Sequence, residues 1–151
     1  MTIATRPEGR VQLSVIRGGR TDPPGGPAAE TFGRLLWLGA TDGAHRLGSA
    51  RAVRVLAGRG TAPGGAEGQQ VDALLRLSEH YGNWLGFRGP SRSVAMGRAR
   101  ILGAVPAGAG RIEYRIHVRR IGRRRERLVT DGEALCDGVP ILRVERIEVG
   151  R

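Results

Sequence analysis

One stretch of this chain has the apolar spacing of a helix, and the stretches around it have the spacing of strands. At about 100° per residue, Val71, Leu74, Leu75, Leu77, Tyr81, Trp84 and Leu85 fall on one broad arc, which predicts a helix packed across a sheet. Asp72, Arg76, Glu79 and Asn83 fall off that arc. Gly82 lowers helix stability, and Gly86 is placed to cap the C-terminus. Downstream, residues 94–105 are apolar enough for a central strand. Ile112, Tyr114, Ile116 and Val118 alternate with Arg111, Glu113, Arg115, His117 and Arg119, a period of two. Residues 127–136 and 141–149 read as strands flanking Asp137-Gly138, a dipeptide that tolerates the positive φ of a tight hairpin. Upstream, residues 34–38 and 47–56 read as strands around a turn at Thr41-Asp42-Gly43. The glycine-rich run 58–68 with Pro63 is a loop that ends where the helix starts. Strands joined by hairpins imply an antiparallel sheet with one solvated face. The predicted class is α+β.

The first thirty residues differ in texture. Residues 11–16 alternate well enough for one short strand, but Thr21, Asp22, Pro23, Pro24, Gly25, Gly26 and Pro27 compose a linker. The expected organisation is a loosely ordered extension over 1–30 and one domain over 31–151, within reach of a single core.

Charge changes the picture more than composition does. The formal net charge is +11, and all 25 basic residues are arginine. Such a surface attracts acidic partners, whether nucleic acid, an anionic membrane or an acidic protein. Cys136 is the sole cysteine, so an internal disulfide and a cysteine-rich metal site are excluded, and it reads as a small core residue. No run approaches a signal-peptide core or a membrane span, so a soluble cytoplasmic protein is expected.

Candidate chemistry starts with Asp72. On pattern alone it is a first-turn acid stabilised by the helix dipole, worth a few tenths to about 1 kcal/mol. His45, His80 and His117 are too dispersed for a metal site, so no metal is expected. His117 falls on the polar strand face and His80 on the helix surface, where solvated side chains are the default. Arg119, Arg120, Arg123, Arg124 and Arg125, with Arg127, form a basic hairpin, either a solvated tip or a docking patch for a polyanion. Interleaved aromatics and a recognition-helix pattern are both missing, which weighs against nucleic acid. The glycine loop matches no dinucleotide fingerprint, and without lysine there is no phosphate-loop lysine.

Motifs in order along the second half of the chain carry a resemblance. They are Asp72-Ala73 with Tyr81 and Trp84-Leu85-Gly86, then Tyr114-Arg115-Ile116-His117, Arg120-Ile121 and Arg124-Arg125. Asp131-Gly132-Glu133, Leu135, Asp137-Gly138, Ile141 and Val149-Gly150 complete the series. Over 71–150, about half the chain, the sequence resembles the β-hydroxydecanoyl-acyl carrier protein dehydratase/isomerase family. The resemblance implies a hot-dog fold, an antiparallel sheet wrapped around one central helix, that dimerises. It implies elimination of water from a 3-hydroxyacyl thioester. A histidine takes the α-proton, an acid on the central helix assists the leaving hydroxyl, and a backbone N–H at the helix N-terminus polarises the carbonyl. Asp72 falls on that acid.

The resemblance also marks a departure. The family carries its histidine in a loop roughly fourteen residues before the acid, and residues 56–70 contain none. The aromatic-rich segment that usually precedes that histidine is absent as well, and Arg76 stands where the family tends to have glutamine. The family's site lies at a dimer interface, so a second hot-dog subunit is expected to supply the histidine. The expected function is the acid-bearing subunit of a heterodimeric 3-hydroxyacyl-acyl carrier protein dehydratase in polyketide or fatty-acyl biosynthesis. His80 is the alternative base within the chain. The substrate arrives on the phosphopantetheine of an acyl carrier protein, so no cofactor is expected, and carrier proteins are generally acidic. The alternatives are a non-catalytic hot-dog partner that docks the carrier and shapes the acyl tunnel, and a basic nucleic-acid-binding domain.

Overall fold

The alternation at Ile112, Tyr114, Ile116 and Val118 puts four side chains on one face of a strand, and all four are fully buried. What buries them is the helix. The structure, a computed structural model, describes residues 10–12, 32–56, 66–88 and 93–151. Its strands are β1 (Arg10–Gln12), β2 (Arg34–Gly39), β3 (Ser49–Val55), β4 (Ser93–Ala95), β5 (Ala99–Ile101), β6 (Arg111–Gly122), β7 (Arg127–Cys136) and β8 (Val139–Gly150). The helix α1 (Ala66–Trp84) lies between β3 and β4 in the chain. One 8-stranded sheet runs β1-β2-β3-β6-β7-β8, and both β4 and β5 pair with the far edge of β8. Every described pairing is antiparallel.

α1 packs on β3, β6, β7 and β8. Ala73, Leu74, Leu77 and Tyr81 are wholly buried against the sheet, while Val71, Leu75, Trp84 and Leu85 line the margins. Gly132 on β7 permits the close approach: a Cβ there would meet Leu74 and Ile147 at 3.1 Å. Polar groups inside this contact are paired, as burial requires. Ser78 Oγ donates to the Leu74 carbonyl at 3.0 Å and shares a 2.8 Å hydrogen bond with Thr130 Oγ1. The Tyr114 hydroxyl donates to Gln70 Oε1, and burial pushes its phenol up to about 12.

The helix ends as its sequence predicts. Gly86 adopts φ +95°, its N–H donates to Asn83 O, and Phe87 N–H donates to Gly82 O, each at 3.0 Å. That pair of bonds is a Schellman cap. Arg151, just past β8, donates from Nη2 to Glu79 O at 3.1 Å and to Asn83 Oδ1 at 2.7 Å, tying the last strand to the last helical turns.

Three expectations need correction. The helix starts at Ala66 rather than Val71; alanine and the polar residues after it continue the helix, and Gly68 is tolerated inside it. Residues 94–105 do not form a central strand. They give two short edge strands, β4 and β5, because β8 bulges opposite them. Arg146 takes φ +58°, and Gly97 N–H donates to the carbonyls of Glu145 (3.1 Å) and Arg146 (3.2 Å), so the edge bends at Gly97. The turn after β2 extends through Gly48 instead of closing at Gly43. Within the expected extension, residues 10–12 form β1, paired with β2. The rest of 11–16 and the linker 21–27 lie outside the described residues, as does most of the glycine loop. Cys136 is buried as expected, and Asp137 and Gly138 take φ +46° and +85° at the β7–β8 hairpin.

The face of the sheet away from α1 carries charge in register. Arg51, Arg115, Glu133, Arg143 and Arg100 are direct cross-strand neighbours on β3, β6, β7, β8 and β5. Glu113, two residues from Arg115, binds Arg51 at 2.7 Å and Arg115 at 3.0 Å. Burial opposes its charge, but the hydrogen bonds from Arg115 and Arg51 prevail and hold its carboxyl below the usual range.

The long turn after β2 meets the helix through Tyr81. Tyr81 OH donates to Gly39 O at 2.8 Å, and a Cβ on Gly48 would lie 2.0 Å from that hydroxyl and 2.7 Å from Gly39 O. Gly48 also has φ +125°, open to glycine alone at low cost. Gly48→Ala is expected to destabilise the fold by about 3 kcal/mol, read by urea unfolding. In a Tyr81→Phe background the added cost should shrink by about 1 kcal/mol, because the hydroxyl that clashes is gone; simple additivity would show that the contact does not set the turn.

Candidate active site

Asp72 lies on the stripe of α1 that the sheet does not cover. Arg76, Glu79 and Asn83 share this stripe at helical spacing. The Asp72 side chain is 49 % exposed, with Arg76 Nε 3.8 Å from its Oδ1. Arg76 Nη1 also donates to Glu79 Oε2 at 3.2 Å, so one guanidinium bridges two carboxylates. Because α1 begins at Ala66, Asp72 stands in its second turn and not its first. Its own N–H lies beyond the first four, so the amides free to polarise a carbonyl belong to the residues before Val71. The dipole stabilisation expected for a first-turn acid is correspondingly weaker.

None of the three histidines stands beside it. His80 is two turns further along, about 12 Å away on the axis at 1.5 Å per residue. Its ring packs edge-on against Phe32, with centroids 5.8 Å apart, so it is less solvated than a surface helix position implied. His45 and His117 lie across the sheet from α1. His117 Nδ1 accepts the Ala44 N–H at 3.2 Å, which corrects the expectation of a freely solvated side chain. His45 Nε2 is 3.0 Å from Asp131 Oδ2. Asp131 also accepts the Arg146 N–H at 3.1 Å and faces Arg119 Nε at 3.5 Å. This carboxylate joins the long turn, the β8 bulge and the end of β6, a role that pattern reading missed. The signal was the cross-strand pairing of His117 with Asp131, and a bulge between Val118 and Arg120 hides that register from sequence. Among the described residues, no group of three or more His, Cys, Asp or Glu is placed to hold a metal ion.

The basic hairpin forms as a unit. Arg119 and Arg120 lie in the last residues of β6 before Ile121 and Gly122, and Arg123–Arg125 make one exposed 3-10 turn closed by Glu126 at φ +44°. Arg119 is paired with Asp131; Arg120, Arg123, Arg124 and Arg125 have no carboxylate in ion-pair reach among the described residues. Glu126 Oε1 accepts the Arg88 N–H at 3.3 Å, so the tip sits by the chain leaving the C-terminus of α1. Asp72 is therefore about 18 Å of helix away from the tip's end of α1. Among the described residues no helix is long and apolar enough to cross a membrane.

No protein-family model matches the chain. Solved structures do match its fold. AziG of S. sahachiroi aligns at 16% identity with a TM-score of 0.53, over 68% of this chain and 82% of that one. The dehydratase heterocomplex ApeI:P from Xenorhabdus doucetiae aligns at 9% identity and 0.53, over 85% and 86%. A thioesterase from Haemophilus influenzae aligns at 15% identity and 0.53, over 84% and 83%. The chain has a hot-dog fold: one long helix packed against an antiparallel sheet.

A half-exposed carboxylate with one long ion pair contributes little to stability. Asp72→Asn is expected to shift unfolding free energy by less than about 0.5 kcal/mol, measured by urea denaturation. A loss of several kcal/mol would mean that the carboxylate is a structural element of the helix.

Proposed function

We propose that this chain is the acid-bearing subunit of a heterodimeric 3-hydroxyacyl-acyl carrier protein dehydratase in polyketide or fatty-acyl biosynthesis. The observation that carries the reading is an accessible carboxylate on the central helix, Asp72, with each histidine engaged elsewhere. Removing an α-proton from a thioester at neutral pH calls for a base of pKa about 6 to 7, which histidine supplies. A second hot-dog subunit provides it. That histidine takes the α-proton, the Cα–Cβ double bond forms, and the β-hydroxyl leaves as water with the proton of Asp72 in its carboxylic-acid form; return of the proton held by the histidine restores that form for the next cycle. Arg76, half exposed and 3.8 Å away, holds Asp72 loosely enough to be displaced by an acyl chain. The heterocomplex among the structures of like fold supports a two-subunit reading. The arginine pair to Asp72 favours the runner-up, a non-catalytic partner that docks carrier and shapes the tunnel.

The test measures water elimination and thiol release from a 3-hydroxyacyl carrier protein, with this chain, with a histidine-bearing hot-dog partner, and with both. Turnover is expected only from the pair, and Asp72→Asn should lower it by about 10²–10⁴-fold. Full activity of the Asp72→Asn pair would remove Asp72 from the chemistry and leave the non-catalytic reading. Robust activity of this chain alone, abolished by His80→Ala, would make His80 the base. Thiol release without elimination would place the chain among thioester hydrolases.

The carrier docks, on this reading, at Arg119, Arg120, Arg123, Arg124 and Arg125. Exposed charges steer association more than they add affinity, and salt screens them. Charge reversal at Arg123 and Arg124 should slow turnover of the acyl carrier about tenfold and leave a short pantetheine thioester unaffected. Equal slowing of both substrates would sink the docking role.

A further inference from the structure

Asp72 has to hold a proton before it can give one away, and its neighbour is an arginine. A guanidinium at hydrogen-bond distance favours the ionised carboxylate, which cannot protonate a leaving hydroxyl. On the uncovered stripe of α1 that guanidinium is divided unequally. Arg76 Nη1 donates a hydrogen bond to Glu79 Oε2 at 3.2 Å, while its Nε stands 3.8 Å from Asp72 Oδ1, beyond hydrogen-bond reach. Helical spacing permits either contact, since Asp72 lies four residues before Arg76 and Glu79 three after it. The helix alone does not choose between them.

What differs is how firmly each carboxylate is held. The Glu79 side chain is 16% exposed, against 49% for Asp72 and 51% for Arg76. Its turn of the helix is also fixed from outside, because Arg151 Nη2 donates to Glu79 O and to Asn83 Oδ1. Gly82 makes room for that guanidinium: a Cβ there would lie 3.3 Å from the same nitrogen. A less hydrated carboxylate in a fixed position attracts a half-exposed arginine more strongly, as water screens it less. The ionisable groups of the strands beneath α1 lie on its covered side. Arg54 on β3 pairs in register with the buried Ile112, on the side of the Tyr114 phenol, and burial keeps the phenols of Tyr81 and Tyr114 neutral. His80, next to Glu79 in the chain, packs against Phe32.

We infer that Glu79 is a positioning residue for Asp72: it holds Arg76 by the hydrogen bond, keeps the guanidinium off the acid, and leaves Asp72 able to carry the proton it transfers. The inference rests on the reading of Asp72 as the acid and deepens it by naming what sets its protonation. Glu79 acts through Arg76 and touches no substrate.

Titration of Asp72 tests this without any turnover. Its carboxyl carbon would be followed by NMR across the carboxylate range in the whole chain, as wild type, Glu79→Gln, Arg76→Gln and the double variant. Glu79→Gln releases Arg76 to Asp72, so the midpoint should fall by about 0.5 pH unit, and Arg76→Gln should raise it. With Arg76 already replaced, Glu79→Gln should move the midpoint by less than about 0.2 pH unit, because two helical turns and salt separate the carboxylates. In the two-subunit enzyme, elimination needs the acid form and is lost as pH rises through the midpoint. The alkaline limb of turnover should therefore move to lower pH in Glu79→Gln. An unchanged midpoint in that variant, or the same fall with and without Arg76, would overturn the inference. So would the absence of a rise in Arg76→Gln, a change at a half-exposed position that leaves the fold intact. Midpoints that move as stated beside a pair that eliminates no water would instead sink the dehydratase reading and leave the hold of Glu79 on Arg76 standing.

Discussion

One helix is narrower than the sheet it covers, and most of this molecule follows from that mismatch. A helix with its side chains is about 10–12 Å across, while strands lie about 4.8 Å apart, so α1 shields roughly three strands well. The close approach of Leu74 to Gly132 centres it over β7, with β6 and β8 to either side. On the β2 side, Leu38 and Phe32 still find cover with Tyr81. On the β8 side the sheet continues through β4 and β5 past the reach of the helix, and Val94 and Ile101 are left without a lid.

The outer face solves a different problem with the same residues. Its basic side chains are all arginine, whose planar guanidinium can serve two carboxylates at once. Glu113 between Arg51 and Arg115, and Asp131 among His45, Arg119 and the Arg146 amide, turn an excess of positive charge into cross-strand ties. Individually such exposed pairs are weak. Their arrangement still matters, because it leaves Arg120, Arg123, Arg124 and Arg125 at the β6–β7 tip with no carboxylate in ion-pair reach among the described residues.

The candidate chemistry depends on the helix in another way. The side of α1 turned from the sheet presents Asp72, Arg76, Glu79 and Asn83, and no described histidine shares it. The sheet itself separates Asp72 from His45 and His117, which lie against its other face. Proton transfer between them is closed off by the core packed between helix and sheet, not by distance along the chain.

Element type was legible wherever a period ran long enough. The helical arc of α1, the alternation of β6, the Asp137-Gly138 hairpin and the Gly86 cap all follow from local rules, since side-chain period and permitted φ belong to a few neighbouring residues. The position of Asp72 on the uncovered stripe was legible for the same reason. Its turn within the helix was not, because extension back to Ala66 is decided by marginal propensities in residues with no apolar signal. Residues 94–105 misled because an exposed apolar edge and a buried central strand have the same composition; only the reach of the helix separates them. The partners of His45, His117 and Asp131 also required the folded chain. Their register depends on bulges at Val118/Arg120 and Thr130/Gly132, each a one-residue offset that moves a side chain to a new neighbour. Sequence alone determined the type of the long periodic elements and which face of each is apolar. Tertiary structure decided which apolar faces are covered and which charges meet, because both depend on widths and registers summed across many strands.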